Sequence, residues 1–192
     1  TNMLNFAQLF KGEVKEVLTK FHICDIIDHI LKRLSTSLGE KNLQISTEIA
    51  PTLYSTFAGN QEGIYNVLIK LIDNAIKFTE QGQLVIRVQP IDKPIDLDDL
   101  DSMQPLDEDD KKYWIRFEIS DTGIGIAEQK QAYLFDIFSQ VDGSSTRYYD
   151  GMGMGLAVAK LLTESMGGQI GVNSQLDQGS TFWLNVPLEI VK

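Results

Sequence analysis

Three short runs in this sequence combine residue types able to hold a phosphorylated ligand. Gly151-Met152-Gly153-Met154-Gly155-Leu156 sets glycines at alternate positions directly ahead of an apolar stretch, Leu156 to Met166, that reads as a helix. Glycines let backbone come close to a ligand and adopt positive φ, and the free amide N–H groups at a helix start favour an anion such as phosphate. Alone, the same spacing also serves a plain tight turn, and no βαβ unit surrounds it, which argues against a dinucleotide site. In the second run, Asp121-Thr122-Gly123-Ile124-Gly125, an alternating strand delivers a carboxylate into a Gly-rich turn. Such a carboxylate can accept a hydrogen bond from an exocyclic amine, although Asp-x-Gly is equally an ordinary turn. The third is Asn74, Lys77 and Phe78, three and four apart on one helix face. That face offers an amide oxygen for a hard cation, an ammonium for phosphates and an aromatic ring. Magnesium keeps waters and phosphate oxygens, so a single Asn suffices as its protein ligand. A solvated lysine and a core phenylalanine at a helix end would look the same.

The elements that must position these runs follow from periodicity. Residues 3 to 18 read as a helix, Phe21 to Ile23 as a short strand, and Cys24 to Gly39 as a helix with Ile26, Ile27, Ile30, Leu31, Leu34 and Leu38 on one face. Leu43 to Ile49 alternates as a half-buried strand, Pro51 ends it, and Leu53 to Phe57 is a further strand candidate. A helix capped by Asn60 extends to about Phe78. Gln83 to Val88 and Trp114 to Ile119 alternate as strands, joined across an acidic excursion at about 90–112. Gln169 to Ser174 and Thr181 to Val186 form a closing hairpin about Asp177-Gln178-Gly179. Helices mixed with hairpin-joined strands imply a two-layer α/β sandwich, its sheet mostly antiparallel with helices on one face.

Composition narrows the partners. The 192 residues carry a net charge of -10, which disfavours nucleic acid and anionic membrane surfaces. Nine acids and three lysines lie between Asp92 and Lys112, so that segment holds -6 of the charge and leaves -4 for the rest. A local basic site for an anion is therefore compatible with the total. One cysteine, Cys24, permits no internal disulfide and fits a reducing, cytoplasmic setting. No apolar run reaches the length of a membrane span and the start reads as no signal peptide, while an anchor elsewhere in a parent protein stays open.

Together the runs resemble the ATPase superfamily shared by gyrase, the heat-shock chaperone, histidine kinases and the mismatch-repair protein, from about Phe21 to Leu188. Asn74-Ala75-Ile76-Lys77-Phe78-Thr79 resembles the N box, Asp121 to Ile126 the G1 box, and Gly151 to Leu156 the G2 box. Gly179-Ser180-Thr181-Phe182 resembles the last glycine-and-threonine element. Phe135-Asp136-Ile137-Phe138-Ser139-Gln140-Val141-Asp142 is similar to the F box of histidine kinases, nearest to hybrid sensor kinases. The resemblance implies the Bergerat ATP-binding fold with ATP and Mg2+ as ligands. Asp121 would bind the adenine amino group, helped by a water on Thr181, with Gly123 and Gly125 letting the chain pass close to the base and Ile126, Phe78 and Phe138 among the cofactor-binding residues. Asn74 would hold magnesium and Lys77 would meet phosphates. An ATP lid at about 135–153 would be anchored by Phe135 and Phe138, with Gln140 and Arg147 reaching the terminal phosphate on closure. Gly151, Gly153, Met154, Gly155 and Leu156 would flank the phosphates. Residues 1–18 would be the tail of a dimerisation helix, and 19–192 the catalytic domain.

The sequence departs from this pattern at three places. Lys70 stands where the N box has Asn or Glu, four residues before Asn74, and lacks the carboxylate that activates water in hydrolytic relatives. In the G2 run Asp150 replaces the first glycine and Met154 the usual residue between the later glycines. Neither His22 nor His29 has the surroundings of a phosphoacceptor. The expected activity is therefore transfer of the ATP γ-phosphate to a histidine on a helix pair outside this fragment, within a homodimeric parent, and onward to a response regulator or receiver domain. Two other readings are a degenerate nucleotide-sensing or docking module without phosphotransfer, and a gyrase-like or chaperone-like ATPase, which Lys70 and the F box disfavour.

Overall fold

The computed structural model describes residues 18–39, 41–94, 112–136 and 155–191. In chain order these form β1 (Thr19–Phe21), α1 (Ile23–Arg33), α2 (Ser35–Gly39), β2 (Asn42–Ile49), a 3-10 turn (Pro51–Leu53), β3 (Phe57–Gly59), α3 (Gln61–Phe78), β4 (Gln81–Ile91), β5 (Lys112–Asp121), α4 (Glu128–Gln131), α5 (Gly155–Ser165), β6 (Gln169–Gln175) and β7 (Gly179–Ile190). The seven strands make one sheet in the order β1-β3-β7-β5-β4-β2, with β6 also on β7. β7 pairs along most of its length with β5 on one side, and with β6 and then β3 on the other. All pairings are antiparallel except β2 with β4. Parallel neighbours need a long crossover, and α3 lies within the one that joins them.

Period-2 alternation sends Leu84, Ile86 and Val88 of β4, Ile115, Phe117 and Ile119 of β5, and Phe182, Leu184 and Val186 of β7 into one buried layer. The helices cover that layer. Ile23, Ile26, Ile27 and Ile30 of α1 meet it, as do Ile64, Val67, Leu68, Leu71, Ile72, Ala75 and Ile76 of α3. Burying an Ile or Leu this fully contributes about 1.5–3 kcal/mol, so α3 is the best-anchored helix. The opposite face carries half-buried polar and aromatic side chains. Arg87 pairs with Glu48 at 2.8 Å and Glu118 at 3.6 Å, Arg116 pairs with Glu118 at 2.8 Å, and Arg116 lies 4.8 Å from the centre of the Trp183 ring.

The two-layer α/β fold is as expected; several boundaries are not. The first strand is Thr19–Phe21, and Ile23 already belongs to α1. The expected helix from Cys24 to Gly39 is two pieces, broken at Leu34. Leu53 closes a 3-10 turn and the strand begins at Phe57, because Pro51 fixes φ and favours the tight turn. The short α4 was not anticipated. The N-terminal helix, the acidic excursion from 95 to 111 and most of the lid lie outside the described residues.

Candidate functional site

The site forms where the end of α3 meets the turn after β5. Asn60 caps the start of α3 by accepting the Gly63 N–H at 2.8 Å, and the core face described above directs the last turn of the helix to the sheet. Asn74 and Lys77 are half-buried there, Phe78 is 38% exposed, and Lys77 Nζ lies 5.6 Å from the centre of the Phe78 ring. The Asn74 amide makes no hydrogen bond with another described residue. Lys70, half-buried one turn earlier, forms no ion pair among the described residues.

Asp121 ends β5 on the helix-covered face and is 8% exposed. Its Oδ1 accepts the Gly123 N–H at 2.8 Å. Burial pushes the carboxyl above the usual carboxylate range, while the amides of Gly123 and Ser180 and the Thr79 hydroxyl pull it back. Thr79 is fully buried, and its hydroxyl acts on Asp121 from a position short of a well-formed hydrogen bond, so its Oγ1 has no partner. A Cβ at position 123 would strike the Phe78 carbonyl and come within 2.8 Å of Thr79 Oγ1 and 2.9 Å of Asp121 Oδ1. Only glycine permits that close packing. Gly125, at φ 64, faces the Gln175 carbonyl so closely that any side chain would collide. The turn is tied down by Ile124 N–H to Phe78 O at 3.3 Å and Asp177 N–H to Ile124 O at 2.8 Å.

One expected residue is displaced. Thr181 pairs with Ser120, not with Asp121, and its hydroxyl meets Ser120 Oγ at 2.9 Å on the opposite face of the sheet. Ser180 is the residue across from Asp121. Its hydroxyl meets Ser174 Oγ at 2.9 Å. Ser174 Oγ donates to Gly179 O at 2.9 Å and accepts the Ile126 N–H at 2.8 Å. With its single proton given to Gly179, Ser174 accepts from Ser180, whose lone pairs stay open. Ser180, one residue before the expected Thr181, thus shares the face of Asp121, because side chains alternate faces along a strand.

The described contacts bring together Phe78, Thr79, Asp121 and Gly123, with Ser180 across from Asp121; Asn74 and Lys77 stand on the last turns of α3, while Gly125 and the half-buried Ile126 meet Gln175 and Ser174. Gly155 is the first residue of α5, and Leu156 follows, half-buried. Phe138, Gln140, Arg147, Gly151, Gly153 and Met154 lie outside the described residues, whereas Phe135 packs on the core. His22 is exposed at the N-cap of α1, and exposed His29 lies beside Tyr65 with ring centres 5.3 Å apart. A buried hydroxyl without a hydrogen bond and a buried carboxylate, beside a glycine packed too closely for any side chain, offer polar atoms suited to the amine edge of a purine base. No cluster of three or more His, Cys, Asp or Glu among the described residues could cage a metal. A single amide oxygen suits magnesium that arrives with phosphates.

A buried acceptor beside a Gly-rich turn, facing a helix end with Asn and Lys, on a two-layer sheet, is the build of an ATP-binding domain. Residues 59–190 match the family described as histidine kinase-, DNA gyrase B- and HSP90-like ATPase, and the chain belongs to that family. It is 36% identical over 191 residues to the peroxide stress-activated histidine kinase mak2 of Schizosaccharomyces pombe, covering 99% of this chain and 8% of that protein. It is 32% identical to hybrid signal transduction histidine kinase B of Dictyostelium discoideum, covering 98% and 9% respectively. The chain spans less than a tenth of the length of these two curated relatives. Among solved structures it is similar to full-length ShkA in complex with AMPPNP, with a TM-score of 0.79 and 27% identity over 99% of this chain and 35% of that one. Among the described residues no helix is long and apolar enough to cross a membrane.

Proposed function

We propose that this chain holds magnesium ATP and presents its terminal phosphate to a histidine carried elsewhere in a parent sensor kinase. The buried Asp121 carboxylate, beside the unpartnered Thr79 hydroxyl, is the observation that carries the reading. Asp121 accepts from the adenine amine, and Ser180 holds a bridging water in the role first expected of Thr181. Asn74 is the protein ligand of magnesium, and Lys77 meets the phosphates. Magnesium ATP supplies a phosphoryl group whose transfer depends mainly on positioning and charge stabilisation. Gln140, Arg147 and the glycines 151, 153 and 155 complete the phosphate side, with Met154 and Leu156 beside them. The relatives named as histidine kinases support this assignment. The same reading carries a partner helix pair bearing the phosphoacceptor, a homodimeric parent in the cytoplasm and a downstream receiver.

The second reading, a nucleotide-sensing module without phosphotransfer, draws on Lys70, a cation one turn from Asn74 in place of the N-box Asn or Glu. Calorimetric titration with ATP, with and without magnesium, tests the binding. Asp121→Asn should weaken ATP at least about tenfold, as expected when the oxygen not held by the Gly123 N–H becomes an amide donor facing the adenine amine, and Asn74→Ala should abolish the magnesium dependence. Unchanged affinity in Asp121→Asn would remove the adenine assignment. Phosphohistidine formed on an added helix pair separates the two readings.

A further inference from the structure

The last turn of α3 ends without a glycine cap: Thr79, the residue after it, is extended at φ -116, ψ 114. The final carbonyls of a helix have no partners within it. Here Ile124 N–H serves Phe78 O at 3.3 Å, and one side chain serves most of the rest. Lys41, which sits just before β2, donates from Nζ to Ile76 O at 2.7 Å, Lys77 O at 3.0 Å and Thr79 O at 3.1 Å. An ammonium has three donors, so all are committed to the backbone at this helix end. A cation there also complements the negative end of the helix dipole. Glu80 is 3.7 Å from Lys41 Nζ, but it is largely exposed and adds little.

We infer that Lys41 is a positioning residue for the base-binding end of the nucleotide site, an inference that rests on the nucleotide reading above. Its hold on the Thr79 carbonyl fixes the residue whose buried hydroxyl faces Asp121. Thr79, Asp121 and Gly123 are packed so closely that no Cβ fits at position 123, so a small shift of residue 79 displaces the carboxylate of Asp121. Helix ends otherwise fray, and misplacement on the scale of an ångström is costly in a site of this kind. Lys41 itself touches no ligand position; it acts through the backbone of residues 76, 77 and 79.

The test compares the unaltered chain with Lys41→Met, by calorimetric titration with magnesium ATP and magnesium ADP, at a temperature where circular dichroism shows both fully folded. The expected result is a rise in the dissociation constant of about tenfold, about 1.4 kcal/mol, by the same factor for ATP and ADP, since both carry the base. Lys41→Arg, which keeps the charge and several donors, should restore most of the affinity. A purely structural cap would lower the melting temperature and leave both affinities of the folded chain unchanged, and that outcome overturns the inference. A loss confined to ATP would move the effect to the terminal phosphate and overturn it as well. If Lys41→Met does not fold, Lys41→Gln is read by the same criterion. Absence of nucleotide binding by the unaltered chain would overturn the nucleotide reading, and this inference with it.

Discussion

Thr79 has a hydroxyl that the fold buries completely and leaves without a partner. An unsatisfied buried hydroxyl costs about 1–3 kcal/mol, but this one also favours the ionised Asp121, so Thr79→Val, nearly the same shape, should move the melting temperature of the nucleotide-free chain by no more than about 2–4 °C. The same change should weaken ATP binding severalfold; thermal melts and titration report the two effects separately. Asp121 gives a pH signature. Its folded-state pKa is raised by burial, so the ionised group costs stability above that value. The cost fades as pH falls through it towards the ordinary unfolded value, below which both states are protonated. Relative to Asp121→Asn, the free chain should therefore gain stability from about pH 7 to about pH 4, while its ATP affinity falls as the acceptor is lost. Paired melts and titrations at both ends of that range check the sign. At this scale the sequence revealed Asp121 and its glycines, because a carboxylate at a strand end followed by Gly-x-Gly is a local pattern. It did not separate Thr181 from Ser180, because strand parity is fixed by register with β5. Lys41 was invisible for a related reason: its carbonyl partners lie 35 to 38 residues further along.

α3 is the element on which the candidate site depends, since it supplies Asn74, Lys77 and Phe78 from its last turns and Thr79 directly after. Its apolar repeat at helical spacing and its Asn60 cap made it legible almost to the residue. α1 and α2 were read as one helix because the apolar face continues through Leu34, where the backbone leaves helical geometry. β1 and β3 are three residues each, too short for alternation to show. Asn60→Ala removes the bond to the Gly63 N–H and should cost about 1 kcal/mol. Eighteen residues of helix span about 27 Å, so ATP affinity measured in that variant should stay within about twofold of the unaltered chain even as the melting temperature drops.

Across the whole molecule, the β4–β5 hairpin sets the candidate site and the described residues that flank the acidic segment at opposite ends. Leu84 pairs with Asp121 at one end and Ile91 with Trp114 at the other, a separation of about 23 Å at the rise of a strand. Replacing residues 95–111 by a short Gly-Asn turn should accordingly leave ATP affinity within about twofold, although it removes eight acids and one lysine. A larger loss on titration would place that segment in contact with the site. The overall layering was legible because hairpin-joined strands and amphipathic helices leave few ways to bury both apolar faces; the parallel pairing of β2 with β4 was not, since nothing local distinguishes it. The face of the sheet opposite the helices has a practical consequence. The chain has two tryptophans. Trp114 and Trp183 both alternate onto that face, away from Asp121, with Trp183 against Arg116. Intrinsic tryptophan emission will thus follow the integrity of the sheet during unfolding and stay nearly silent when nucleotide binds, so occupancy has to be read from a fluorophore on the ligand.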